Sequence, residues 1–257
     1  MFDFVPEIAV VALSQPGPQM LVGLLVLAPL IALSLSVHEF WHAYSAELLG
    51  DPTGKQQGRC TLNPLVHLDP LGTLMLFIGP VGWARPVPVN PLNFRNPSRD
   101  MMISVAAGPA SNIGLALLAG ILLRVMTAIG ADSQISELSE DGAIGFVHWA
   151  YAALGLFLMM NVYLALFNLI PLFPLDGHHL LREMLKGDAK RKFAETQQYG
   201  IFILAALLFS EYFFGFSILG RILYDPALRI MELLAGAQGL HDGQTAYQSL
   251  GRFFLWG

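Results

Sequence analysis

Residues 20–52 read MLVGLLVLAPLIALSLSVHEFWHAYSAELLGDP. From Met20 to Val37 the run is apolar, close to the roughly 20 residues a membrane-crossing helix needs. It then turns polar at HEFWHAYSAE and stops at Gly50-Asp51-Pro52, a turn signal that also ends a helix. Ionisable side chains at the end of an oily helix are costly to keep at membrane depth, so they default to a functional reading.

Outward from this stretch, three more apolar blocks are long enough to cross, at roughly 101–129, 146–171 and 198–220. A shorter block at 226–236 reads as an interfacial helix. Apolar residues make up 54% of the 257 and charged residues 13%, about half the roughly 25% of a soluble domain, so the solvent is largely lipid. The expected fold is an all-α polytopic membrane protein with about four transmembrane helices. It divides into an embedded core over 1–220 and an interfacial segment and tail over 221–257. Net charge is only -5, with no basic run flanked by aromatics, which excludes nucleic acid as an expected partner. Cys60 is the single cysteine and reads as a small semi-apolar side chain. Residues 1–20 carry no Lys or Arg, so no cleaved targeting segment is expected.

Cytoplasmic loops collect basic residues. Lys55, Arg59, Arg85, Arg95 and Arg99 fall in 49–100, and Arg182, Lys186, Lys190, Arg191 and Lys192 fall in 177–197, so both segments are expected on the cytoplasmic side. The segment 130–145 has Asp132, Glu137, Glu140 and Asp141 and no basic residue, which puts it and the N-terminus outside. Four spans then send the C-terminal tail outward, although it carries Arg221, Arg229 and Arg252. Between the first two spans lies TLMLFIGPVGWARPVPVNP, too poor in apolar residues to cross. Pro86 and Pro88 permit only an edge strand there, and a re-entrant β-hairpin-like segment beside a wet cavity is expected, with a surface loop as the alternative.

His38-Glu39-Phe40-Trp41-His42 is the H-E-x-x-H pattern. On a helix, residues four apart share a face and stand about 6 Å apart along the axis, so both imidazoles can reach one metal ion. Zinc with three protein ligands keeps a fourth position for water and lowers that water's pKa to about 7, and a neighbouring carboxylate such as Glu39 can take the proton. For the third ligand Asp176 stands out: it follows the third span on the same expected side as His38 and His42. His178, His179 and Glu47 are rivals.

Taken together, HEFWHA, GRCTLNPLVHLDPLGTL, GWARPVPVNP and FNLIPLFPLDG, in this order between about residues 20 and 185, closely resemble the site-2 protease family of intramembrane zinc metalloproteases. The resemblance implies one zinc ion per chain on His38, His42 and Asp176, with Glu39 as general base. It also implies a substrate-binding or oxyanion-stabilising role for Asn168, which read alone would be a helix-to-helix hydrogen bond. No segment between the motifs is long enough for the PDZ domain many members carry, and residues 221–257 are too few for CBS modules, so a minimal catalytic core is expected. A substrate helix would unwind near the cytoplasmic leaflet and pair with the edge around Trp83, Pro86, Val87 and Val89. The partners so implied are transmembrane protein or peptide substrates and the lipid bilayer of the cell membrane, and an oligomer is compatible with the sequence. Two rival functions are a catalytically silent helix-binding relative and a zinc transporter. Intact Glu39 argues against the first, and the near absence of ionisable residues from the outer halves of the spans, Arg124 and His148 aside, argues against the second. His67 reads as a loop hydrogen bond, His148 as interfacial, and Gly108, Pro109 and Asn112 of AGPASN as close helix packing, with Asn112 also able to line the active site.

Overall fold

Helices dominate because apolar segments in lipid must satisfy every backbone group internally. A computed structural model describes residues 18–72, 83–131, 146–210 and 214–256, with side chains given within 27–243. The described elements are α1 (Pro18–Leu48), the short turns α2 (Thr53–Gln56) and α3 (Pro64–His67), and a 3₁₀ turn at Pro91–Asn93. Then come α4 (Pro97–Ala128), α5 (Phe146–Asn168), α6 (Asp176–Met184), α7 (Gly187–Glu195), α8 (Gln197–Leu208) and α9 (Ile218–Trp256). Among the described residues there is no strand.

Two of these helices, Pro97–Ala128 and Phe146–Asn168, are long and apolar enough to cross a membrane. Pro29 inside α1 and Pro109 inside α4 are tolerated, as prolines are in membrane helices where neighbours re-satisfy the freed groups. In α1 the hydroxyls of Ser34, Ser36 and Ser45 donate to the carbonyls of Leu30, Ala32 and Trp41 at 2.8, 2.6 and 2.6 Å, so their donors are spent inside the helix.

The core lies between α4, α5 and α9. Ala116, Ala119 and Leu123 of α4 meet Tyr151, Leu158 and Val162 of α5 and Ala227, Met231 and Ala235 of α9. Small side chains let the backbones approach. A second cluster of Ala46, Phe94, Met101 and Val105 ties the polar end of α1 to the start of α4.

The C-terminal part differs from the expectation. Within the apolar run at 198–220, α8 ends at Leu208 and α9 begins at Ile218; α8 has 12 residues, about 18 Å of rise against a bilayer core of roughly 30 Å. Ser210 links the two, its Oγ donating to the Leu207 carbonyl at 2.7 Å and accepting the Ile218 N–H at 3.0 Å. The block at 226–236 lies inside α9, and its inward face belongs to the bundle core. α9 is broken at Gly236, where φ is 77° and ψ 159°, and the guanidinium of Arg124 covers the break, donating to the carbonyls of Leu234 and Leu233 at 2.6 and 2.7 Å.

Of the expected hairpin, residues 73–82 lie outside the described residues. The remainder is extended chain with one isolated antiparallel bridge, Leu68 to Ala84, beside which the Arg85 N–H donates to the His67 carbonyl at 2.7 Å.

Candidate metal centre

The last turns of α1 present His38 and His42 on one face, against α4. Gly108 of α4 is what permits this contact: a Cβ there would collide with Nε2 of His42 and with Cε1 of both imidazoles. From the far side comes Asp176, the first residue of α6. Its loop folds tightly back on the end of α5, and a Cβ at Gly177 would strike the carbonyls of Leu169 and Ile170. The Asp-Gly pair thus couples a ligand to a close backbone approach that only glycine allows.

The three side chains meet. His38 Nε2 and His42 Nε2 are 3.0 Å apart, and Asp176 Oδ2 lies 3.1 Å from the first and 3.2 Å from the second. Both histidines are buried. Their other nitrogens fix the tautomer. His42 Nδ1 donates to the Ser104 carbonyl at 2.8 Å, and His38 Nδ1 to Asn112 Oδ1 at 2.6 Å. Each Nε2 is therefore left to face the centre, and two imidazole nitrogens and a carboxylate oxygen converge on one point where a cation can take all three. Two imidazoles and a carboxylate are zinc donors, and tetrahedral bonds of about 2.0–2.1 Å require ligand atoms about 3.3–3.4 Å apart, close to the triangle observed. The donor set and its spacing fit zinc.

Glu39 is half-buried beside this triangle and outside it; its Oε2 accepts the backbone N–H of Val87 at 3.3 Å. The rivals for the third ligand are engaged elsewhere. His178 stacks on Phe193 with ring centroids 4.8 Å apart, His179 sets its edge to Phe173, and Glu47 takes Lys55 at 2.5 Å.

Of the residues expected to handle substrate, Asn168 ends α5, and its Nδ2 donates to the Leu164 carbonyl at 2.9 Å. Trp83 and Pro86 are exposed, Val87 is tied to Glu39, and Val89 packs on the cluster around Ala46 and Phe94. This extended chain is held at its far end by Asp51, fully buried, whose carboxylate accepts from the Asn90 N–H and the Asn93 amide at 2.7 Å each, and from the Thr53 hydroxyl and N–H. Burial works to raise the Asp51 pKa, but those donors outweigh it and hold the carboxyl below the ordinary range. His67 is buried and bonds through Nε2 to the Thr61 carbonyl at 2.8 Å, as a loop hydrogen bond would. His148, expected at an interface, is buried.

Sequence reading passed over Ser34 and Asn161 and took Gly108 for packing alone. The available signal for Asn161 was its place in LMMNVYL, an amide in the middle of an apolar helix.

Residues 26–210 match the model of Peptidase family M50. The chain is 38% identical over 177 residues to the Bacillus subtilis protein named "Putative zinc metalloprotease YwhC", covering 69% of this chain and 77% of that one. It is 31% identical over 191 residues to the Rip2 protein of Mycobacterium tuberculosis, which bears the same zinc metalloprotease title, covering 71% and 67%. With Rip2 of Mycolicibacterium smegmatis the figures are 29% over 181 residues, 68% and 63%. No solved structure matches the chain.

Proposed function

The chain belongs to peptidase family M50 and is a zinc metalloendopeptidase, and from that premise we propose that it cuts its substrates within or beside their transmembrane segments. The observation that carries the reading is the triangle of 3.0, 3.1 and 3.2 Å that two histidines four positions apart form with an aspartate at least 134 positions further on, at the end of an apolar helix.

Zinc held by His38, His42 and Asp176 supplies a Lewis acid that polarises a carbonyl and lowers the pKa of water to about 7. Glu39, next to that site and not part of it, takes the proton from the attacking water and passes it to the leaving amine. Its bond from Val87 aims the carboxylate and links the base to the extended chain on which an unwound substrate strand lies. Trp83, Pro86 and Val87 are then the substrate-side residues, with Val89 anchoring the segment in the protein. Asn168 holds the developing oxyanion. To do so it exchanges its bond to Leu164 for one to substrate.

The protein is in this reading an integral, multi-pass protein of the cell membrane with the zinc site toward the cytoplasm, since the basic residues of 49–100 and 177–197 lie at that end. α1, α4 and α5 cross, and the fourth crossing is α9 rather than 198–220. Its course supports this: Gly120 meets the backbone of Leu234, and Thr127, near the outer end of α4, bonds Asp242 at 3.1 Å. The test is reconstitution with single-span substrates and mapping of any cut by mass. Glu39→Gln should lower cleavage by about 10²–10⁴-fold and still hold one zinc. Undiminished cleavage by that variant ends the proposal for Glu39, and wild-type protein that cuts only soluble peptides ends the intramembrane reading.

A further inference from the structure

A run of buried amides leads away from His38 through three helices. Asn112 of α4 and Asn161 of α5 are both 0% exposed, and Ser34 of α1 is 1% exposed. Asn112 Oδ1 accepts from His38 Nδ1 at 2.6 Å, and Asn112 Nδ2 donates to Asn161 Oδ1 at 2.9 Å and to the Ser34 carbonyl at 3.3 Å. Asn161 Nδ2 in turn donates to the Ser34 hydroxyl and to the Phe157 carbonyl, each at 2.9 Å.

The direction of every bond in this run is determined from its far end. The Phe157 carbonyl can only accept, and the Ser34 hydroxyl already donates to the Leu30 carbonyl at 2.8 Å, so toward Asn161 it too can only accept. Asn161 must therefore point its NH₂ at Ser34 and Phe157 and its oxygen at Asn112. Asn112, receiving an oxygen on that side, must turn its NH₂ there and its own oxygen to His38. The imidazole then has one permitted tautomer, Nδ1–H, with the Nε2 lone pair toward His42 and Asp176. A helix-to-helix clasp made only for packing would be satisfied with both amides reversed. Reversal here would set an NH₂ against His38 and two oxygens against each other at Phe157, so the polarity is imposed. His42 gets the same service from one backbone carbonyl, which cannot rotate.

We infer that Asn112 and Asn161 are positioning residues that lock His38 in its zinc-binding tautomer, with Ser34 and the Phe157 carbonyl as the fixed end of the relay. The inference rests on the zinc reading above. Such outer partners of a ligating histidine are worth about 10–100-fold in metal affinity.

The experiment uses the full-length protein, stripped of metal and titrated with zinc against a competing chelator. In parallel, ¹⁵N-labelled histidine in the zinc-free protein reports the His38 tautomer, its signal assigned by substitution of His38. Asn112→Leu keeps the volume and removes the acceptor: zinc affinity should fall about 10–100-fold and His38 should show both tautomers. Asn112→Asp keeps the acceptor and should recover most of that affinity. Asn161→Leu frees the Asn112 amide to turn and should fall between the two. Wild-type affinity in Asn112→Leu, or equal weakening by Leu and Asp, overturns the inference. If Asn112→Leu does not fold, an Asn161→Leu protein with wild-type affinity and a single tautomer overturns it as well. Wild-type protein that takes up no zinc would instead remove the functional reading itself, a result distinct from any of these.

Discussion

The two ends of the helix bundle bury polar groups among equally apolar neighbours and use them in opposite ways. At the end that the proposed orientation turns outward, Asp242 accepts from Gln238 at 2.7 Å and from Thr127 at 3.1 Å, and Arg124 covers the two carbonyls left at the break in α9. Donors there meet acceptors. At the inner end, His38, His42 and Asp176 turn three acceptor atoms toward one another, and the surrounding partners, Ser104 and Asn112, enforce that arrangement. A satisfied cluster stabilises the fold. Three metal-donor atoms brought to one point suit a shared cation, which sets them apart from a cluster that only holds the fold.

The strongest way to break this comparison is at Asp176. Asp176→Asn keeps the shape and removes the charge, so zinc should be lost. With it goes catalysis worth several kcal/mol at the transition state, about 10³-fold or more in rate. The melting temperature of the zinc-free protein should change little beside the loss of zinc, since the amide keeps the shape and its contacts with both imidazoles. Metal analysis together with a thermal melt in detergent checks both halves; a large fall in zinc-free stability would show that the inner end is structural after all. Arg124→Leu is the converse. It strands the carbonyls of Leu233 and Leu234, at a cost of about 1–3 kcal/mol, while zinc stoichiometry stays at one. Loss of zinc in that variant would mean the ends are coupled.

Legibility followed the same division. The H-E-x-x-H spacing, the Asp-Gly pair and their approach to one another could be read from the sequence, because metal chemistry demands particular residue types at helical spacing and His38, His42 and Asp176 supply them. The run of four apolar blocks also gave the helical class. What escaped was set by tertiary partners. Nothing local distinguishes a packing amide from the one facing His38, so Asn112 was readable only as an open choice, and Asn161 only as an amide inside an apolar helix with no partner named. The run at 198–220 looks continuous by hydropathy, yet α8 ends at Leu208 and the Ser210 hydroxyl accepts the N–H of Ile218, eight residues on. The packing of α9 along α4 was hidden for a related reason, since Gly236 interrupts the apolar pattern and Arg124, which donates to the Leu234 carbonyl beside it, lies 110 residues from that leucine.

Asp51 sharpens the comparison because it combines both behaviours: it is fully satisfied, like the outer cluster, yet it lies on the inner side and fixes the chain that carries Val87 to Glu39. Asp51→Asn retains one acceptor oxygen but loses the charge that draws the Asn90, Asn93 and Thr53 donors together, a change worth about 1–2 kcal/mol at neutral pH. The sign with pH follows from the direction of its shift. A carboxyl held below its ordinary pKa stabilises the fold at pH values above the unfolded value of about 3.9, and that contribution disappears as the pH falls through the folded value. Wild type should therefore be more stable than Asp51→Asn at pH 7, and the two melting curves should draw together as the solution is acidified below about pH 4. Because the zinc triangle and Glu39 itself are untouched, the enzymatic consequence should be a rise in KM through a looser Trp83–Val89 segment, with kcat changed less than about threefold. A variant whose kcat collapses at unchanged KM would place Asp51 in the support of Glu39 rather than of the substrate-side chain, since the Val87 N–H bond links this chain to Glu39.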